Sequence, residues 1–159
     1  MKNNNMKQIN KYIQERLHIN KDTGNNNYNY HPKTRDELLE LVNKLIEERG
    51  NDADLNDIDT SEITDMSYMF TYSKFNGDIS NWDVNNVKNM QEMFYNSKFS
   101  GKNGDISKWD VSNVNNMKYM FCHSEFNVDI SNWDVSNVKD MSFMFTNTPL
   151  EKNPPKWYK

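Results

Sequence analysis

Two columns of carboxylates recur through the chain at a fixed interval. Asp78, Asp105 and Asp129 form one, and Asp83, Asp110 and Asp134 form the other. Carboxylates stacked in this way would bind calcium if the two columns converged, and suitably separated pairs are what glycoside hydrolysis uses. Asp also caps turns by accepting backbone N–H bonds. The Asn and Ser beside each Asp read as turn makers, which favours capping, and a repeated column is poor material for one asymmetric catalytic centre.

The other residues capable of chemistry do not assemble into a site. His18, His31 and His123 stand in different surroundings, and the adjacent Cys122 and His123 lack two further ligands for a metal. So few histidines give no Ser-His-Asp arrangement, and the 5 glycines are scattered rather than gathered into a phosphate-binding loop. A methionine column at Met66, Met69, Met90, Met93, Met117, Met120, Met141 and Met144 suggests a soft-metal or promiscuous site. Its neighbours are Phe and Val at the same spacing, so core packing explains it better. The expectation is no enzyme, no cofactor and no metal.

The elements that would position these residues are tandem repeats. Trp82, Trp109 and Trp133 each open a Trp-Asp-Val string, and Val87, Val114 and Val138 follow five residues after each Trp. Met90, Met117 and Met141 come next, then the pairs Met93-Phe94, Met120-Phe121 and Met144-Phe145, and one earlier unit has Ile63, Met66 and Met69-Phe70 without a Trp. Phe75, Phe99, Phe126 and Leu150 close the units. The steps are 24, 27 and 24 residues, the extra three lying between Phe99 and Asp105. Such an insertion costs little if it bulges from a turn. The Trp, the later Val, the Met and the Met-Phe pair of the last three units make up the expected core.

A unit this short cannot bury its own apolar face, whereas stacked units bury a continuous one. The spacing of Val87, Met90, Met93 and Phe94 predicts a short helix, and the Asp-Val-Asn-Asn-Val stretch before it a short extended segment. The expected architecture is therefore an α/β, leucine-rich-repeat-like solenoid of about four turns over residues 51–150, each turn with one extended segment and one helix. Residues 31–50 are read as a capping helix: Thr34 and Glu37 form a capping box, and Leu38, Leu39, Leu41, Val42, Leu45 and Ile46 give its apolar stripe. Ile9, Tyr12, Ile13 and Leu17 give residues 1–19 the pattern of an amphipathic arm, residues 20–30 read as a linker, and residues 151–159 as a C-terminal cap or tail in which Trp157 and Tyr158 fold back.

The repeats resemble those of BspA-like bacterial surface proteins and mycoplasma lipoproteins, divergent relatives of leucine-rich repeats; the likeness is strongest over Asp78–Met90 and Asp129–Met141. It implies adhesion and protein contact. The arm resembles the peptides that bring internal proteins into the prohead of large tailed phages, and Ile13-Gln14-Glu15 is similar to a prohead-protease site, which makes Ile13 and Glu15 a candidate processing site. That second likeness implies capsid or prohead partners.

Composition restricts the function further. A net charge of -4 and a pI near 5.4, with no sustained basic run, disfavour nucleic-acid binding. The first residues have no apolar core of the signal-peptide kind, no stretch is long enough to span a bilayer, and a single Cys fits a reducing compartment. These features point to a cytoplasmic location, or to a virion interior if the arm acts in targeting. The leading expectation is a non-enzymatic protein-interaction module presenting a repeat surface. The outward residues Asn81, Lys108, Asn132, Lys88 and Lys139 would contribute specificity, as would the variable position held by Tyr68, Glu92, Tyr119 and Phe143. The alternative is an internal structural or cargo protein of a phage virion.

Overall fold

A computed structural model describes residues 28–159. The expected N-terminal arm and its Ile13 and Glu15 site lie outside the described residues.

The first regular element is helix α1, Arg35–Arg49. Thr34 caps it by accepting the Glu37 N–H at 3.3 Å, a bond that satisfies one of the orphan donors of a helix start. The Glu37 carboxylate reaches one residue past the cap, to the Lys33 N–H at 2.7 Å. Leu38, Leu41, Val42 and Leu45 face inward and are fully buried in one core with Leu55, Ile58, Ile63 and Met66. The helix is tied down at both ends: Arg35 donates to the Ser67 carbonyl, and Arg49 forms a two-pronged pair with Asp57. It covers the first unit of the repeats.

Beyond α1 the chain departs from the expected architecture. Among the described residues there is one α-helix, a short 3-10 turn at Ile106–Lys108, and parallel β pairing only as isolated single-residue bridges. The α/β solenoid, with a strand and a helix in each of four turns, is thereby corrected. Two features account for the difference. Within the Met-Phe segment, Glu92 and Asn96 have left-handed φ, as do Tyr68 and Tyr72, Tyr119 and His123, and Phe143 and Asn147; two such residues four apart exclude a right-handed helix. Between Trp and Met, side chains take up the backbone donors an extended segment would need. Asp83 accepts from the Asn85 N–H, Asp110 from Ser112 and Asp134 from Ser136, so each stretch folds as a turn.

What forms instead is a set of consecutive turns in register from unit to unit. Alternate N–H groups leave each Met-Phe segment and bond to the next one. Met66, Tyr68, Phe70 and Tyr72 donate to the carbonyls of Asn89, Gln91, Met93 and Tyr95 at 2.9, 3.0, 2.8 and 2.9 Å. Met90, Glu92, Phe94 and Asn96 donate to Asn116, Lys118, Met120 and Cys122, and Met117, Tyr119, Phe121 and His123 to Asp140, Ser142, Met144 and Thr146. Intervening N–H groups close turns inside the unit, as Tyr95 does on Glu92 and Ser97 on Phe94. Asp65, Asn89, Asn116 and Asp140 mark the register as successive parallel bridges.

This register aligns the aromatic core. Phe70, Phe94, Phe121 and Phe145 stack with centroids 5.3, 5.5 and 6.0 Å apart, and Phe75, Phe99 and Phe126 form a parallel column at 6.4 and 6.2 Å. Burying each ring contributes about 1.5–3 kcal/mol, and an aligned aromatic pair adds about 0.5–1.5 kcal/mol. The expected core residues Trp82, Val87, Met90, Met93, Phe94, Trp109, Val114, Met117, Met120, Phe121, Trp133, Met144 and Phe145 are buried, whereas Val138 and Met141, in the last unit, are only partly buried.

The extra residues are accommodated by glycine. At Gly77 an added Cβ would lie 2.0 Å from the Ala53 carbonyl oxygen, so the backbone approaches too closely for any side chain. The equivalent position two units later is Val128. There Gly101, at φ +77, removes the side chain on the facing segment, where a Cβ would meet Val128 at 2.5 Å. Lys102 and Asn103 stand exposed on the bulge.

The Trp column is pinned by its indole N–H. Trp82 donates to the Leu55 carbonyl, Trp133 to Ile106 and Trp157 to Ile130, at 3.0, 3.3 and 3.2 Å. Trp109 is the exception, its buried Nε1 having no partner among the described residues; its acceptor by register is the Ile79 carbonyl, across the step that carries the insertion. Trp109→Phe removes an unsatisfied donor, whereas Trp133→Phe breaks a made bond. We expect urea unfolding to show Trp133→Phe as the more destabilising by about 1 kcal/mol, and equal losses would contradict the difference.

Candidate interaction face

The left-handed residues carry side chains out of the stack. In the first of each pair, the carbonyl accepts the N–H three residues on, from Thr71 to Tyr68, Tyr95 to Glu92, Cys122 to Tyr119 and Thr146 to Phe143. Asn tolerates left-handed backbone, but for Tyr, Phe, His or Glu it costs about 1–2 kcal/mol. The variable position noted in the sequence, Tyr68, Glu92, Tyr119 and Phe143, is therefore one strained column; Tyr72, Asn96, His123 and Asn147 form a second left-handed column, in which Asn96 and Asn147 suit the conformation.

These columns create an aromatic face. Tyr72 is 68% exposed, Phe143 54% and Tyr68 41%, although large apolar groups normally turn inward. The rings touch along the face: Tyr72 meets Tyr95 edge-on at 5.6 Å, Tyr95 meets His123 at 5.9 Å, and Tyr119 stacks on Phe143 at 5.1 Å. Polar groups are interleaved with them. Gln91 donates to the Tyr68 hydroxyl at 2.7 Å, and the Lys118 ammonium sits 5.4 Å from the Tyr119 ring centroid, within range of a cation–π attraction. The single cysteine takes no part in this face. Cys122 is buried, and burial, then the charges of Glu151 and Glu92, push its thiol above the ordinary range, away from the reactive thiolate.

The other expected contact residues, Asn81, Lys108, Asn132, Lys88 and Lys139, are exposed but flank the Trp segments. Asn132 is already engaged, its amide donating to the Ser107 carbonyl of the preceding unit. Sequence reading missed Tyr72, Tyr95 and His123 as members of one face; their signal is a position in frame with the Met-Phe pairs. Trp157, read with Tyr158 as folding back in a C-terminal cap or tail, lies with Tyr158 against Phe145; what the reading missed is that it follows Trp133 by the same 24 residues and bonds as its predecessors do.

The carboxylate columns are committed to turns. Asp78 accepts from the Ser80 N–H at 2.9 Å, Asp105 from Ser107 at 2.8 Å and Asp129 from Ser131 at 2.9 Å, with Asp83, Asp110 and Asp134 bonded in the same pattern. Among the described residues no group of three or more His, Cys, Asp or Glu is placed to hold a metal ion. The turn bonds favour the charged form. Ser112, Ser131, Ser136 and Ser142 hold Asp110, Asp129, Asp134 and Asp140 below the usual carboxylate range. For Asp78, partial burial works against this, and the bonds from Ser80 prevail.

A helical end cap, stacked turns held by inter-unit backbone bonds, and a strained aromatic face define the molecule as a tandem-repeat protein. No helix among the described residues is long and apolar enough to cross a membrane. Residues 40–157 match the DUF285 family, described as Mycoplasma protein of unknown function, and the chain belongs to that family. This accords with the likeness to BspA-like and mycoplasma repeats, while the likeness to phage targeting peptides finds no support. No curated protein and no solved structure matches the chain.

The depressed carboxylates make stability pH-dependent with a definite sign. Below the ordinary carboxylate pKa, about 4, the unfolded chain takes up protons more readily than the folded one, so stability rises with pH there. The turn contribution is complete above that value and is lost as pH falls through the lowered native pKa values. Thermal melts from pH 7 to 2 should hold nearly level above about pH 5 and then decline; a rising melting temperature on acidification would contradict the assignment.

Proposed function

We propose that the chain is a non-enzymatic protein-interaction module whose contact surface is the aromatic face of Tyr68, Tyr72, Tyr95, Tyr119 and Phe143. The observation that carries this reading is strain combined with exposure: Tyr68, Tyr72 and Phe143 occupy left-handed backbone and turn their rings to solvent. Neither choice benefits folding, because Asn at the same positions would relieve the backbone and remove apolar surface. Strain retained against stability is a mark of ligand-binding surfaces, and exposed aromatic rings are the usual anchors of protein interfaces. The commitment of the carboxylates to turn bonds further favours a binding role over a hydrolytic one.

The test is the double variant Tyr68→Asn/Tyr72→Asn in the full chain. Asn is at home in left-handed backbone, so thermal stability should be unchanged or higher. Capture from the native source should fall at least tenfold relative to the unmodified chain, as expected when aromatic anchors worth about 2 kcal/mol each are truncated. Undiminished capture of the same partner by the variant would remove the aromatic face from the binding account.

A further inference from the structure

Charge is distributed unevenly over the aromatic face. Among the described residues eight non-glycine positions have left-handed φ, and Glu92 is the one carboxylate among them, at φ 54 in the column that otherwise carries Tyr68, Tyr119 and Phe143. The inter-unit bonds fix its neighbours. Tyr68 donates to the carbonyl of Gln91, the residue before Glu92, and Glu92 donates to the carbonyl of Lys118, the residue before Tyr119. Glu92 therefore stands between Tyr68 and Tyr119 in the column, and its own carbonyl accepts the Tyr95 N–H at 3.1 Å.

The rings beside it are set at right angles. Tyr95 meets Tyr72 at 81°, Tyr119 at 85° and His123 at 75°, with centroids 5.6, 6.4 and 5.9 Å away. The core column is built differently, Phe94 lying within 1° of Phe70 and 3° of Phe121. The face of an aromatic ring is its negative side, and rings turned at right angles offer such faces from several directions, the arrangement in which aromatic cages hold a cation. One ring already has a cation: Lys118, whose charge also helps Ser142 keep Asp140 ionised, sits over Tyr119.

The chain supplies no cation to Glu92. Among the described residues Glu92 is in no ion pair, whereas Glu125, in the following unit, is matched with Lys98 at 2.7 Å. The half-buried Glu92 side chain accepts only from the Gln91 amide, at 3.3 Å, and that amide makes its shorter bond to the Tyr68 hydroxyl. The negative charge is felt by the surrounding groups. Tyr95 is pushed above its ordinary value first by Tyr72 and further by Glu92.

We infer that this part of the aromatic face receives an arginine side chain of the partner polypeptide, its guanidinium stacked against Tyr95 and the perpendicular rings and its charge matched by Glu92. The inference rests on the reading of the face as a protein-contact surface and names what the partner brings to it. Arginine fits better than lysine, because a planar, weakly hydrated guanidinium stacks on rings and pairs with a carboxylate at the same time. An acidic segment would meet both Glu92 and a net charge of -4.

The probe is the peptide acetyl-Gly-Gly-Arg-Gly-Gly-amide, titrated into the isotope-labelled full chain beside two analogues that carry citrulline or lysine in place of arginine. We expect saturable amide shifts at Glu92, Tyr95 and His123. Affinity should fall about fivefold for the neutral citrulline peptide, the ratio expected when an exposed ion pair and a cation–π contact are lost together, and the lysine peptide should lie between the two. Equal binding of the arginine and citrulline peptides, absence of shifts at those amides, or a lysine peptide that binds as tightly as the arginine one overturns the inference. In capture from the native source, Glu92→Gln should lose about fivefold, as the citrulline peptide does, with its thermal stability unchanged. Full capture by Glu92→Gln alongside lost capture by Tyr68→Asn/Tyr72→Asn overturns the arginine and leaves the aromatic face standing. Full capture by the double variant removes the face itself, and this inference with it.

Discussion

A unit of 24 residues with four side-chain-capped turns, as at Asp78, Asp83, Asn89 and Ser97, has few backbone donors left to hold it to anything else. Those it has are the alternate N–H groups of the Met-Phe segment, and they point out of the unit towards the next. Everything else depends on this outward set. It fixes the spacing at which Phe70, Phe94, Phe121 and Phe145 stack, and it brings Val and Met into contact with their counterparts. Side chains add bonds in the opposite direction: Asn86, Asn113 and Asn137 each donate to a carbonyl of the preceding unit at 2.8, 2.8 and 2.7 Å. The high Asn and Asp content therefore replaces the strand ladders and helices of a conventional repeat with side-chain-to-backbone bonds. A modest hydrophobic content suffices because each unit contributes only one inward stripe.

The outward set has a backbone requirement of its own. Alternate N–H groups can leave the segment only if the intervening residues close tight turns, and in every unit two residues adopt left-handed φ to do so. In Asn96 and Asn147 the residue type suits the conformation. In Tyr68, Tyr72, Tyr119 and Phe143 it does not, and three of these, Tyr68, Tyr72 and Phe143, turn their rings to solvent. Fold and proposed function thus meet at the same backbone torsions: the turn that directs an N–H along the stack also projects a side chain away from it.

Much of this was legible in the residues. The frame of Trp82, Trp109 and Trp133 with the following Val, Met and Phe positions located the units and their inward stripe, and Thr34 and Glu37 marked the start of α1. The conformation of each unit was not legible, because Val87, Met90, Met93 and Phe94 have the same spacing in a helix as in a run of turns that each advance three residues. Only backbone torsion separates the two, and Glu92 gives no sign of a left-handed φ as Gly would. The aromatic face stayed hidden for a related reason: Tyr95 stands one frame position before Tyr72 and His123, and the three rings meet only when units stack. Trp157 was obscured by Pro154 and Pro155, which read as the end of regular structure although the column continues through them.

The central claim is that the units are turns joined by inter-unit backbone bonds rather than strand–helix pairs, and proton–proton contact spectroscopy of the labelled full chain tests it most directly. The account predicts contacts between Asn89 and Asn116 and between the rings of Phe94 and Phe121, with an intra-residue amide-to-alpha coupling at Glu92 and Asn96 characteristic of left-handed backbone. A continuous helical pattern of short-range contacts through residues 87–96, without contacts between those stacked pairs, would contradict it.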